Sequence, residues 1–276
     1  MYKKEKIMMS KQEKINELLK SNRTALLNNE NKNAICYDGI VNEAMYEHVV
    51  VLLKETNGKD STGKTPEKLK DWDYHRWLKE QQVENLPEKK INKYGEIHEE
   101  QNVFYHSTFR KLCYWLSLLF DSLENDEAND EKFKKNGQVD IEITRKVLNR
   151  VAVINLKKSW GDSQTDIAKL ETYLENTKIV DILKKQMAEL SPKIVLCCSP
   201  DVYRLAKKVY GNTDHNTYEV PSTQLVGKNI EFTVINGATY VSFYHPQYYG
   251  KTDQVFSDFA IEVFKHLKSF CQERLK

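Results

Sequence analysis

The stretch HVVVLLKETNGKD runs from His48 to Asp60 and contains the most informative apolar pattern in the chain. Its apolar residues, 49 to 53, are consecutive and do not alternate with polar ones, which is the pattern of a strand buried on both faces of a parallel sheet. The polar residues after them then stand at the carboxyl end of a strand, where ligands bind in open α/β sheets. The stretch therefore predicts an α/β fold with a functional site near residues 54 to 58.

Two later strands are predicted to end in polar side chains in the same way. Residues 150 to 156 form an apolar run that carries Asn155 and is followed by Lys157 and Lys158. The run TYVSFYHP leads to His245. Because the carboxyl ends of parallel strands share one edge of a sheet, we expect these side chains to meet in one pocket.

Helical patterns separate the strands. Helices are expected over 166 to 190 and after Ser199, with Pro200 in the first turn, on either side of a third strand in LSPKIVLCC. Alternating strands and helices predict a three-layer α/β/α sandwich around a short, mostly parallel sheet. Asn236-Gly237 predicts a hairpin turn, and a last helix is expected over 253 to 275.

Length favours one main domain. The 276 residues are divided into an N-terminal helical extension, 1 to 34, and a domain from 35 to 276. A polar insertion at about 59 to 101 interrupts that domain, with a helix expected around 66 to 81 and a loop near 85 to 99.

Composition limits the classes of function. A formal net charge of +2 means that any nucleic-acid surface is a local patch. The five cysteines lack metal-ligand spacing, and the adjacent Cys197 and Cys198 point to opposite faces of a strand, so neither a metal site nor a disulfide framework is expected. The N-terminus lacks an apolar signal region, which favours a cytoplasmic protein.

The strand ends resemble motifs of the uracil-DNA glycosylase superfamily, in order, over residues 35 to 270. The pentad that begins at Lys54 matches the first motif, Asn155 in VAVINLKK matches the asparagine that reads the base, and His245-Pro246-Gln247 matches a late His-Pro-Ser motif. The resemblance implies a cofactor-free glycosylase that acts on DNA as a monomer. The first-motif Asp or Asn falls on Thr56 and its Pro on Asn57, so activation of water passes to Glu55 or Asn57, or is lost.

The chemistry implied by the resemblance fits these residue types. Hydrolysis of the bond between base and deoxyribose builds positive charge on the sugar and negative charge on the departing base. Glu55 would orient or deprotonate the water, and neutral His245 would donate to the base oxygen. Asn155 would read the base edge; rotated by half a turn, its amide suits cytosine as well as uracil.

Base flipping requires an aromatic platform and a wedge. Phe104 or Tyr105 are candidates for the platform, and Tyr248 and Tyr249 for the wedge. The remaining candidates for contact with DNA phosphates are the following residues: Lys157, Lys158, Gln247 and Lys251.

Gly58 replaces the tyrosine that blocks the five-position of the ring in strict uracil enzymes. The resemblance therefore implies uracil or a five-modified pyrimidine as the target, including a bulky modified cytosine of phage DNA, which would place the protein in base excision or antiviral defence. Two alternatives stay open: an inactive member of the fold that binds nucleic acid or a nucleotide, and a hydrolase of free nucleosides or nucleotides.

Overall fold

The protein is described from a computed structural model. It covers residues 9–27, 34–57, 71–80, 90–91, 97–98, 107–126, 128–161, 166–211, 214–220, 230–246 and 253–273. In this part of the chain, helices alternate with the strands of one large sheet, as the α/β prediction requires.

The described residues contain nine α-helices, five of which begin after a residue whose side chain caps the helix. The α-helices are α1 (Lys11–Ser21), α2 (Arg23–Leu27), α3 (Tyr74–Glu80), α4 (Ser107–Glu124), α5 (Ile141–Thr144), α6 (Ile167–Tyr173), α7 (Thr177–Leu190), α8 (Pro200–Tyr210) and α9 (Asp253–Glu273). Short 3-10 segments cover Glu43–Met45, Asp130–Phe133 and Arg145–Arg150.

The strands are mostly short, apart from two in the centre of the sheet. They are β1 (Cys36–Tyr37), β2 (Gly39–Ile40), β3 (Val49–Asn57), β4 (Trp72–Asp73), β5 (Lys90–Ile91), β6 (Ile97–His98), β7 (Lys134–Lys135), β8 (Gln138–Val139), β9 (Val151–Gly161), β10 (Ile194–Cys198), β11 (Asp214–Val220), β12 (Ile230–Ile235) and β13 (Ala238–Phe243).

Seven strands make the main sheet, in the order β11-β12-β13-β10-β3-β9-β2. The four central strands, from β13 to β9, are parallel, whereas β11, β12 and β2 pair antiparallel with their neighbours. The sheet is therefore mixed, and the prediction of a mostly parallel sheet holds for its centre alone. The Asn236-Gly237 hairpin adds β12 beside β13 in the opposite direction, with φ of 51° and 84° at the turn, as a type I′ hairpin requires.

Alternate strand residues enter two separate apolar cores, one on each face. Val49 and Val51 pack with α4 and α9 on one face, while Val50 and Leu52 pack with α1, α7 and α8 on the other. Such two-sided burial explains why this strand lacks polar alternation. The layered arrangement is compatible with a three-layer sandwich.

Several predicted boundaries shift. The expected N-terminal helical extension contains two helices divided at Asn22, and Ser10 caps the first of them through a capping box with Glu13. α1 also sends Ile15 and Leu19 into the core, each 0% exposed, so it belongs to the packed layers. The last helix begins at Asp253 as predicted, and Cys197 and Cys198 do face opposite cores.

Candidate functional site

The carboxyl ends of the central strands β3, β9, β10 and β13 lie at one edge of the sheet, because these strands are parallel. Four residues at this edge form what we call the carboxyl-edge cluster: Lys54 in β3, Ser199 and Asp201 after β10, and His245 after β13. Two of its members, Lys54 and His245, come from strands whose ends the sequence singled out. Ser199 and Asp201 are not among the functional residues predicted from the sequence.

An ion pair joins two members of the cluster. The Lys54 Nζ lies 3.4 Å from the Asp201 Oδ2, and the Lys54 side chain is 20% exposed. Asp201 stands in the first turn of α8, where a carboxylate interacts favourably with the helix dipole. A partly buried cation is therefore fixed at the mouth of the parallel strands.

His245 is half-buried two residues after the end of β13. Burial lowers the pKa of its imidazole, and the positive charge of Lys54 lowers that pKa further. Both effects disfavour the charged form of the ring. His245 is consequently a neutral hydrogen-bond donor or acceptor at neutral pH, next to a cation.

Ser199 joins β10 to α8 in a conformation that side chains rarely adopt. Its φ is 147° and its ψ 158°, in a region used almost only by glycine. The Ser199 hydroxyl accepts a hydrogen bond from the Val202 N–H at 3.2 Å, which caps α8. Backbone strain of this kind concentrates at ligand sites, and here it lies at the same edge as His245.

The end of β9 is irregular beside the end of β3. Glu55 pairs with Lys157 and Asn57 with Gly161, so two steps along β3 match four steps along β9. Such bulges occur beside active sites, where they redirect the chain. Glu55 and Asn57 thus belong to the strand end next to this bulge; their catalytic role stays a prediction.

Asn155 is 2% exposed, and it is bound to a residue that the sequence argument did not consider. Its backbone N–H donates to the Asp38 Oδ2 at 2.6 Å, and its side-chain Nδ2 donates to the same oxygen at 3.2 Å. Within the described part of the chain, no further group bonds the Asn155 amide. The base-reading role of Asn155 stays a prediction, now with one amide hydrogen already engaged.

Lys157 and Lys158, which were predicted to contact DNA phosphates, are both buried. Lys158 is 0% exposed, and its Nζ donates to both Asp38 oxygens, at 2.7 and 2.9 Å. Engaged in this way, Lys158 is not available to a phosphate, and that part of the expected DNA contact is corrected. Lys157 is 6% exposed.

The other predicted site residues lie outside the described residues: Gly58, Phe104, Tyr105, Gln247, Tyr248, Tyr249 and Lys251. Most of the 59 to 101 insertion lies outside them too; α3 occupies part of the helix expected at 66 to 81, and β5 pairs with β6 inside the expected loop. In the described ranges no cluster of His, Cys, Asp and Glu side chains is arranged to bind a metal ion.

A pattern in the sequence does point to the buried lysine. Lys158 follows Ile154 and Leu156 at every second position of β9, and both of those residues face the core beside α7. Because alternate residues of a strand share one face, Lys158 is expected to point into the core as well. The Asp38 carboxylate that completes the pair had no comparable signal, because it precedes Lys158 by 120 positions.

Comparison with known proteins adds no identity: no protein family and no curated protein matches this chain. Among the helices described, none is both long enough and apolar enough to cross a bilayer.

Proposed function

We propose that the protein is a glycosylase that hydrolyses the bond between deoxyribose and a flipped-out uracil or five-modified pyrimidine in DNA, leaving an abasic site. The observation that carries the proposal is the half-buried His245 at the carboxyl edge of the parallel strands, where burial and the positive charge of Lys54 both lower the pKa of the ring. A neutral donor next to a cation suits a leaving group that becomes an anion.

The proposed reaction uses these groups in a balanced way. The bond between C1′ and the base nitrogen breaks, and its electron pair leaves with the base. His245 donates a hydrogen bond to the base oxygen, and the Lys54 charge adds a favourable field. Water bonds to C1′ and gives its proton to Glu55 or, where Asn57 only orients it, to solvent; the departing base is protonated from solvent.

Contact with DNA would use the remaining candidates. Gln247 and Lys251 are proposed to hold phosphates, Phe104 or Tyr105 to stack on the extruded base, and Tyr248 and Tyr249 to fill the gap in the duplex. A glycine at position 58, where the resemblance places a blocking tyrosine, is proposed to leave room at the five-position of the ring and so to admit a pyrimidine with a substituent there.

The test is base release from labelled single- and double-stranded oligonucleotides that contain uracil, hydroxymethylcytosine or glucosylated hydroxymethylcytosine. Abasic sites are detected by alkaline cleavage. Replacing His245 with Ala is expected to lower the rate on the order of 100-fold, the loss typical of one donor to a developing anion. His48→Asn is the matched control, because His48 precedes β3 at the opposite edge and its φ of 62° is tolerated by Asn.

The outcomes separate the alternatives. Release of a base that His245→Ala abolishes and His48→Asn preserves would support the proposal. Absence of release with tight, salt-sensitive duplex binding would identify an inactive nucleic-acid binder, because phosphate contacts release counterions. Absence of both would contradict the proposal and leave free nucleosides, whose hydrolysis is then measured directly.

A further inference from the structure

Asp38 is a fully buried carboxylate whose described contacts all come from hydrogen-bond donors. It lies between β1 and β2 and is 0% exposed. The backbone and side chain of Asn155 donate to one oxygen, Lys158 donates to both, and the Gln186 Nε2 donates to the other at 2.8 Å. We call these four residues, Asp38, Asn155, Lys158 and Gln186, the Asp38 network.

The network fixes which end of the Asn155 amide faces Asp38. A carboxylate paired with an ammonium accepts hydrogen bonds and has none to donate. If the Asn155 amide turned by half a turn, its Oδ1 would face the Asp38 Oδ2, and two acceptors would meet in a buried environment. An unsatisfied contact of that kind is strongly unfavourable, so a single orientation remains.

A fixed amide matters because its two orientations read different bases. One orientation presents the acceptor to the ring N–H of uracil; the other presents the donor to the unprotonated ring nitrogen of cytosine. With one Nδ2 hydrogen bonded to Asp38, Asn155 retains its Oδ1 and its second hydrogen for a ligand. Only one arrangement of these two groups is then available.

We infer that Asp38 is a specificity-determining residue: by holding the Asn155 amide in one orientation, it makes the base site selective between the uracil and cytosine edges. The inference rests on the proposed function, since it requires Asn155 to read a base. Asp38 acts as a positioning residue, because it touches Asn155 and not the substrate.

The decisive variant is Asp38→Asn combined with Lys158→Met. An amide at position 38 both donates and accepts, so either orientation of Asn155 finds a partner. The methionine removes the ammonium that would otherwise be left buried without a counter-charge. Gln186→Leu is the matched control: it removes a different donor to Asp38 and leaves Asn155 in place.

The measurement is the ratio of release rates from single-stranded oligonucleotides that differ only in carrying deoxyuridine or deoxycytidine. The wild-type protein is expected to prefer one base, and the double variant to reduce that preference on the order of 10- to 100-fold, the range for one paired donor and acceptor. The Gln186→Leu ratio should stay at the wild-type value, whatever happens to the absolute rates.

An unchanged ratio in an active double variant would overturn the inference and leave the glycosylase proposal standing. Absence of base release by the wild-type protein would instead reject the proposed function, and the base-selective role with it.

If the double variant did not fold, the inference could still be tested, because NMR measures the orientation of the Asn155 side-chain amide in the wild-type protein. The side-chain amide signal of Asn155, assigned by its loss in Asn155→Ser, should show one proton protected from solvent exchange by the bond to Asp38. Exchange of both protons at the rate of a free amide would refute the fixed orientation.

Discussion

Removing the Asp38 carboxylate is expected to destabilise the protein severely. The Lys158 side chain is 0% exposed in the wild-type protein, so Asp38→Ala leaves its ammonium in the core without a counter-charge. Breaking one side of a buried ion pair costs about 3 to 5 kcal/mol, which is a large part of the roughly 5 to 15 kcal/mol that stabilises a typical native protein. Urea unfolding followed by far-ultraviolet circular dichroism measures the change as a lower midpoint with an unchanged slope.

The companion variant decides whether the ion pair is the cause. Lys158→Met in the Asp38→Ala background removes the orphaned charge, so it is expected to recover about 2 kcal/mol or more of the lost stability. The reasoning would be refuted if Asp38→Ala cost less than about 1 kcal/mol, or if the second substitution made the variant less stable still.

Three further predictions follow from single sites. Ser199→Gly should raise the free energy of unfolding by about 1 kcal/mol, because relief of strain exceeds the loss of the helix cap and the added chain entropy; a lower urea midpoint would contradict this. Gly39→Ala should destabilise the protein by more than about 1 kcal/mol, because L side chains rarely adopt its φ of 154° and because the new Cβ would displace the Gln12 Oε1 from its hydrogen bond with the Ile40 N–H; an unchanged urea midpoint would contradict it. Base release should persist somewhat below pH 6.5 and fall when His245 gains a proton. Lys54→Met should move that acidic limit to higher pH, since the lysine charge lowers the His245 pKa. A limit that does not move would show that burial alone lowers this pKa.

The lowered pKa of His245 also makes the free energy of unfolding depend on pH. The unfolded chain binds a proton at the ordinary histidine pKa, while the folded protein binds it only at lower pH. Between these two values the unfolded state holds more protons, so the free energy of unfolding falls as the pH drops through this window. Urea midpoints across this range should therefore fall less in His245→Ala than in the wild-type protein.

The sequence was informative where local pattern and local structure coincide. The consecutive apolar residues 49 to 53 predicted a strand covered on both faces, and Asn236-Gly237 predicted a hairpin that the positive φ angles confirm. The order of strands and helices was enough to predict the α/β class. The antiparallel edge strands were harder to predict from the sequence, because β11 and β2 depend on pairing with their neighbours more than on their own composition.

The predicted end of β9 shows how a tertiary contact overrides a local pattern. The polar side chains after Leu156 suggested that the strand stopped there, yet β9 continues to Gly161. Lysines are rarely buried without a partner, and the partner of Lys158 is distant in the sequence. Strand alternation places Lys158 on the core side, but the sequence does not show the Asp38 carboxylate that makes burial of this lysine favourable.

The Asp38 network is better explained by geometry than by stability. A buried ion pair is often no more stabilising than apolar side chains of the same volume. Apolar residues in place of Asp38 and Lys158 would fill the space. They would not accept hydrogen bonds from the Asn155 N–H and Nδ2, and they would not form an ion pair within the irregular stretch of β9. Stability and selectivity should therefore separate: a variant with a neutral pair at 38 and 158 is expected to fold well and discriminate poorly. Equal loss of both would mean that the network only supports the fold.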